Sequence, residues 1–232
     1  MERRGFFGKA LAAGVGLVAL ARGIKARAKG LPSDPGSSPA GASGPDLIAL
    51  PAFNKDSSYT LDQAMLERKT SRDYDPDRTL SLDQVSRLIW AANGVNRPDG
   101  HRTTPSAVAR YPVDVYAALP EGIYLYETKK HELVRVSSED VRSKTPAVQP
   151  GLRRAAMTVL YVENKGKIPG GETGWADLEI GCMVQNLYLE AAALGLGSCV
   201  FALVKYDKVT ELMGLKSNQV LRIAQAVGPL KK

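Results

Sequence analysis

A chain of 232 residues, 44% hydrophobic, has material for one domain with a sizeable core or for two small ones. Its net charge of +7 is unevenly placed: residues 1–30 hold seven Lys and Arg against a single Glu, and the remainder holds 24 basic and 23 acidic residues. A near-neutral body has no electrostatic footprint for phosphate backbones, so nucleic acid is not expected as a partner.

Residues 1–29 read as a targeting segment. Arg3-Arg4-Gly5-Phe6-Phe7-Gly8-Lys9, followed by the apolar run from Ala10 to Ala21, resembles a twin-arginine export signal and implies a periplasmic location. That run, about 12 residues, falls short of the roughly 20 needed to span a bilayer, so the membrane is met only through the signal. Ala26-Arg27-Ala28 offers a cleavage site in an unusually basic setting, which leaves cleavage open; the alternative is a basic amphipathic helix on a cytoplasmic protein. Residues 30–58 are rich in Pro, Gly and Ser without a period, the composition of a flexible linker.

The domain proper is expected over residues 59–232. Thr60 and Gln63 form a capping-box pattern before a helix whose apolar face is Leu61, Ala64 and Met65. It leads into Arg68-Lys69-Thr70-Ser71-Arg72-Asp73-Tyr74, where forked guanidinium donors, an ammonium and hydroxyls are grouped as a phosphate site needs them; a basic solvated helix end has the same composition. Ser81 and Gln84 repeat the capping box before Leu82, Val85, Leu88, Ile89 and Ala92, with Gly94 as the stop and Trp90 on a core or dimer face. The polar loop from Asn93 to Thr104 reads as a mobile rim. Its His101, and His131 in a later turn, lack a second ligand at metal-binding spacing, so no metal site is expected.

Pro105-Ser106-Ala107-Val108-Ala109-Arg110 carries small side chains after a turn, which would let a planar ring approach the backbone. A strand from Val113 to Leu119, a hairpin from Gly122 to Val136 and a buried strand from Met157 to Val162 follow by alternation and apolar run. Met183, Leu187, Ala191 and Leu194 then recur at helical spacing, with Gln185 and Asn186 as amides in need of partners. Gly195 and Gly197 end that helix, and Cys199 to Val204 reads as a buried strand. Asp207 is the expected cap of a helix from Lys208 to Met213, and Val220 to Val227 the last strand. Cys182 and Cys199, near opposite ends of the central helix, lie roughly 20 Å apart at its 1.5 Å rise, so both are expected free and buried.

Three of these motifs resemble one family. Gly181-x-x-x-Gln185-Asn186-Leu187 through Leu194-Gly195-Leu196-Gly197, the Arg68–Tyr74 stretch and Arg102-Thr103-Thr104-Pro105-Ser106-Ala107-Val108-Ala109-Arg110-Tyr111-Pro112 are similar to the marks of the FMN-dependent nitroreductases, in particular the SagB-type branch. The resemblance implies an α+β fold, an antiparallel sheet flanked by helices, in a homodimer that shares two FMN sites at its interface. It also implies roles: Arg68, Lys69, Thr70 and Arg72 at the FMN phosphate; Pro105, Ser106, Ala107 and Ala109 along the isoalloxazine; Gln185 and Gly197 in the central helix and its turn. Backbone N–H groups of Ala202 and Leu203 would meet flavin N5, and Lys231 or Lys232 would stand in for a longer C-terminal arm. Val108 replaces a glycine of the branch, and Arg110 an apolar residue; Arg110 either faces the flavin N1/O2 edge or solvent.

The implied activity is transfer of hydride or electrons to or from a small-molecule substrate through flavin N5. Lys167-Ile168-Pro169 stands where azoline oxidases of the branch carry a Lys-Tyr pair, which argues against that substrate. An exported enzyme would meet little NAD(P)H, so a non-nicotinamide redox partner or oxygen is expected. The rival reading is a non-catalytic flavin-binding or degenerate dimeric member, suggested by Ala109 and the short tail.

Overall fold

The computed structural model describes residues 46–53, 58–168 and 174–232. The export-signal residues and those of the linker up to 45 lie outside them. Both capping boxes form: Thr60 Oγ1 accepts from the Gln63 N–H at 3.2 Å while the Gln63 side chain accepts from the Thr60 N–H at 2.9 Å, starting α1, Leu61–Glu67. Ser81 and Gln84 start α2, Leu82–Asn93, in the same way. Two further helices follow, α3 at Trp175–Ala193 and α4 at Tyr206–Met213. Asp207 is not the cap of α4. Lys205 holds that position and Asp207 lies in the first turn, where its charge suits the helix dipole.

The sheet has seven strands: β1 Leu47–Ala49, β2 Val113–Leu119, β3 Gly122–Glu127, β4 Glu132–Ser137, β5 Met157–Asn164, β6 Gly197–Phe201 and β7 Gln219–Gly228. They run in the order β1-β4-β3-β2-β5-β7-β6, each neighbouring pair antiparallel, as expected of the α+β class. β1 corrects the linker boundary. Leu47, Ile48 and Ala49 pair with Val134, Leu133 and Glu132, and Asp46 bonds to Arg135 at 2.5 Å, so the sheet begins a dozen residues before the expected domain start. Three residues are too few to show a period, so the flanking prolines and glycines dominate the sequence signal.

Both faces of the sheet are covered. On β5, Met157, Val159 and Tyr161 belong to the core beneath α2 and α3, and Leu160 and Val162 to a second core with Val209 and Met213 of α4. This is why β5 reads as an unbroken apolar run. The α3 stripe is as its spacing predicts: Met183 and Leu187 are fully buried, Ala191 nearly so. Arg87 of α2 and Glu190 of α3 join the two helices through a half-buried ion pair at 2.6 Å. Of the cysteines, both free, Cys199 is buried but Cys182 is only partly so, because it sits beside the stripe rather than on it.

Candidate active site

The segment after α1 docks on the last turns of α3 and the start of β6. Thr70 bridges Ser198, and the Ser71 N–H donates to the Ser198 carbonyl at 2.8 Å. Tyr188 pins this junction: its hydroxyl accepts from the Val200 N–H at 2.8 Å and lies 3.3 Å from Thr70 Oγ1. The Arg68 guanidinium lies over the same ring, 5.4 Å from its centroid. The chain's end arrives here too, with the Lys231 N–H donating to the Asp73 carbonyl at 3.2 Å. Lys69, Tyr188, Ser198 and Leu230 line a cavity of about 400 Å³, with Glu67 the acid among its walls. Of the expected phosphate residues Lys69 alone lines it; Arg68 and Thr70 reach its wall through Tyr188, Arg72 does not, and Asp73 is taken by Arg154 at 2.5 Å. Among the described residues neither Lys69 nor Arg72 has an ion-pair partner.

Gly195 turns the chain with φ 65°, as expected of a helix stop. Gly197 serves packing instead of exposing its backbone. It is buried, and an added Cβ would collide with Leu230 and come within 3.0 Å of the Ser71 Cβ. β6 then runs back alongside α3 to Ala202 and Leu203, both exposed. Their carbonyls are engaged, by the Tyr206 hydroxyl at 3.0 Å and the Ala147 N–H at 2.8 Å. Among the described residues nothing accepts from their N–H groups, which leaves two consecutive backbone donors unused.

The proline stretch meets other parts of α3. Asn186, two residues before Tyr188 and so on the opposite face, reaches the Thr103 carbonyl at 3.5 Å and Thr104 Oγ1 at 3.4 Å, and Glu179, further toward the N-terminus, lines one small cavity with Ala107. From Glu179 to Tyr188 is nine residues of helix, roughly 14 Å. One protomer therefore unites the cations, the glycine corner and the tail, but not Pro105, Ser106, Ala107 and Ala109. Gln185, the amide expected to seek a partner, is exposed on α3 between the two groups. The loop itself is strained: Val108, Ala109 and Tyr111 have φ of 52°, 53° and 47°. A β-branched residue at positive φ is a genuine outlier, and such strain gathers at ligand sites.

Other candidates resolve simply. The Asn93–Thr104 loop is a pinned hairpin rather than a mobile rim, with a Val95–Arg102 bridge and an Asn96 N–H bond to the His101 carbonyl at 3.0 Å. His101 is exposed and pairs with Asp99 at 2.8 Å. His131 is held by Ser86 Oγ and by the Tyr126 hydroxyl, each at 2.8 Å, and burial pushes its pKa down. Lys167 is committed to Asp114 at 2.6 Å. Trp90 stacks on Phe53 at 3.9 Å beside a cavity of about 520 Å³; that space holds none of the Arg68–Arg72 cations, and its Arg87 and Glu190 are already paired.

Comparison with known proteins places this geometry. The nitroreductase family model matches residues 65–229, which takes in the cation segment, the proline stretch, α3 and all but the last three residues of the tail. The chain belongs to the nitroreductase family. Members of that family are flavin-dependent oxidoreductases. A nitroreductase-family protein of Methanocaldococcus jannaschii is 28% identical over 174 residues, 69% of this chain and 87% of that one. A solved structure of a nitroreductase-family protein from Ralstonia eutropha superposes with a TM-score of 0.73 at 32% identity, covering 82% of this chain and 93% of that one. Another, from Desulfovibrio desulfuricans and in complex with FMN, superposes at 0.54 with 18% identity, 74% of this chain and 87% of that one.

This nitroreductase-family chain has donors of the type FMN requires. Lys69 faces a cavity without an acid paired to it, Thr70 and Arg68 flank it, and the Ala202 and Leu203 N–H groups are left over for an acceptor atom. Tyr188 and Glu179 were missed by the sequence reading. Tyr188 stands one position off the Met183–Leu187 stripe and looks like one more core aromatic. Glu179 had a signal: it precedes Ile180 on the side of α3 that also holds Ala176 and Met183, an acid among buried residues.

Proposed function

We propose that the chain is an FMN-dependent oxidoreductase of the SagB-type branch, working as a homodimer on a small organic molecule. The observation that carries this reading is the division of the expected site along α3. Cations, glycine corner and tail meet Tyr188 near the C-terminal end of α3, and Ala107 to Arg110 share a cavity with Trp175 and Glu179 in its N-terminal half. A two-fold axis that packs two α3 helices antiparallel sets the first group of one protomer beside the second group of its partner, and it does so twice. Exposed Gln185 lies between the groups, where such a contact would fall.

Within that arrangement Lys69, Arg68 and Thr70 hold the phosphate, the Ala202 and Leu203 N–H groups donate to the ring edge, and Pro105 to Ala109 of the partner wall one ring face. FMN, when bound, supplies hydride or electron transfer. The protein's part is to orient the ring, hold its charge and exclude water. The branch assignment rests on Pro105-Ser106-Ala107 and Gln185-Asn186, and the substrate differs from an azoline because Lys167 is tied to Asp114. Export through the twin-arginine signal, with cofactor taken up beforehand, suits a donor other than NAD(P)H.

The test is anaerobic photoreduction of the FMN-loaded chain, followed by mixing with quinones, nitroarenes or oxygen. Reoxidation by one class faster than by free FMN supports the reading. A bound flavin that no acceptor reoxidises faster than free FMN refutes it in favour of a flavin carrier.

A further inference from the structure

Beneath the strained loop is a cavity that the reading above leaves unused. Its volume is about 210 Å³, and Val108, Pro112, Ile168 and Trp175 contribute its apolar walls, with Arg110 exposed at its side. A cavity of about 150 Å³ takes benzene, so this one takes a ring with a short substituent. One lining residue is out of place. Glu179 is 3% exposed, and neither of its carboxyl oxygens completes a hydrogen bond among the described residues. The Ser106 hydroxyl, which accepts from the Tyr111 N–H at 2.8 Å and keeps its own O–H free, and the Ala107 N–H lean toward it, but neither closes a hydrogen bond.

A buried carboxyl without a partner costs free energy unless a ligand or a proton meets it. The charges around it favour a proton over a cationic ligand. Arg102, stacked on Tyr111 at 4.3 Å, and Lys167 both act on Glu179, and Arg110 lines the same cavity. The neighbouring acids are spoken for: Asp114 by Lys167, Asp177 by Arg222 at 2.7 Å. No surplus negative charge is left to draw in an ammonium group. Burial outweighs the nearby Ser106 hydroxyl and Ala107 N–H and the charges of Arg102 and Lys167, and holds the Glu179 pKa above the usual carboxylate value, so its protonated form is available as a hydrogen-bond donor.

We propose that this cavity binds a small, flat, uncharged molecule bearing an acceptor oxygen, such as a ketone, and that the Glu179 carboxyl donates to that oxygen. The proposal rests on the flavin reading only for its position beside the Pro105–Ala109 stretch. It names the substrate class for that site: a neutral carbonyl compound, oriented by its oxygen with its ring against Trp175 and Val108.

The experiment is calorimetric titration of acetophenone, with benzylamine as the cationic counterpart, into the full chain between pH 5 and 8, with and without saturating FMN. In the native chain acetophenone affinity should fall as pH rises through the Glu179 pKa. Glu179→Gln, which keeps an N–H donor at every pH, should bind with an affinity that no longer depends on pH. Glu179→Ala should bind about tenfold more weakly than the native chain at low pH, the effect of one lost hydrogen bond. Ala107→Leu, which fills the cavity and leaves the carboxyl intact, should abolish binding if the cavity is the site. A flat pH profile in the native chain, tighter binding of benzylamine, equal behaviour of the Gln and Ala variants, or displacement of acetophenone by FMN would each overturn the proposal. Failure of the flavin reading looks different: the chain binds no FMN, while the titrations in its absence keep their pH pattern.

Discussion

Replacing Tyr188 with Phe removes one oxygen from the junction on which the cation segment rests. Tyr188 is 6% exposed, and its hydroxyl is the acceptor for the Val200 N–H at 2.8 Å. β6 is an edge strand, so the N–H groups on its outer side have no neighbouring strand to pair with. Phe leaves the Val200 N–H without its acceptor, and water reaches the half-buried Val200 only in part. The loss is about 1–2 kcal/mol, nearly all from this bond, because the 3.3 Å contact with Thr70 is at the long end of hydrogen bonding. For a domain of this size that lowers Tm by roughly 2–8 °C. Thermal melts of the native chain, Tyr188→Phe, Thr70→Val and the double variant measure it. The double variant should melt close to Tyr188→Phe. A Tyr188→Phe chain whose Tm matches the native value would show that the pin carries no load and that the cation segment is placed by other contacts.

Two further outcomes follow from groups held against their ordinary preferences. Val108→Gly should raise stability by about 1 kcal/mol in urea unfolding, since relief of a β-branched residue at φ 52° exceeds the backbone entropy that glycine adds to the unfolded chain. A destabilised variant would mean that the Val108 side chain packs more than its 86% exposure suggests. His131 has a folded pKa below its unfolded value, so the unfolded chain takes up more protons between the two. Its contribution is complete above about pH 6.5 and is lost as pH falls from there toward the folded pKa. Glu179 works in the opposite sense because its pKa is raised, so the informative quantity is the difference in unfolding free energy between the native chain and His131→Gln across pH 5 to 8. That difference should shrink with falling pH; a constant difference contradicts the assigned environment.

Much of the fold was legible because its signals are local. The capping boxes need only Thr60 with Gln63 and Ser81 with Gln84, and the hairpin needs only alternation on both sides of a polar turn. The α3 stripe needs only its spacing. β1 was missed because three edge residues pair through their backbone with β4 and owe nothing to a period. The site was legible residue by residue but not in its layout. Phosphate-type donors and small residues after a proline can be recognised one segment at a time. Whether they meet within one chain depends on where α3 carries them, and they lie roughly 14 Å apart along it. Gly197 shows the same limit: a bare backbone beside a helix stop suits a ligand as well as it suits Leu230, and only packing separates the two. Tyr188 acquires its meaning from Val200 and Thr70, and Glu179 from its burial beside the Ser106–Ala107 backbone, none of which a helical period reveals.

The central claim is that the cations after α1 and the corner after α3 form one half of an FMN site. Equilibrium titration of FMN into the native chain and into an Arg68→Ala/Lys69→Ala variant, followed by flavin fluorescence, tests it most directly. The account predicts one FMN per protomer and an affinity at least about tenfold weaker in the variant, the loss of two charge-assisted phosphate contacts. FMN that binds equally well to both chains, or to neither, contradicts it.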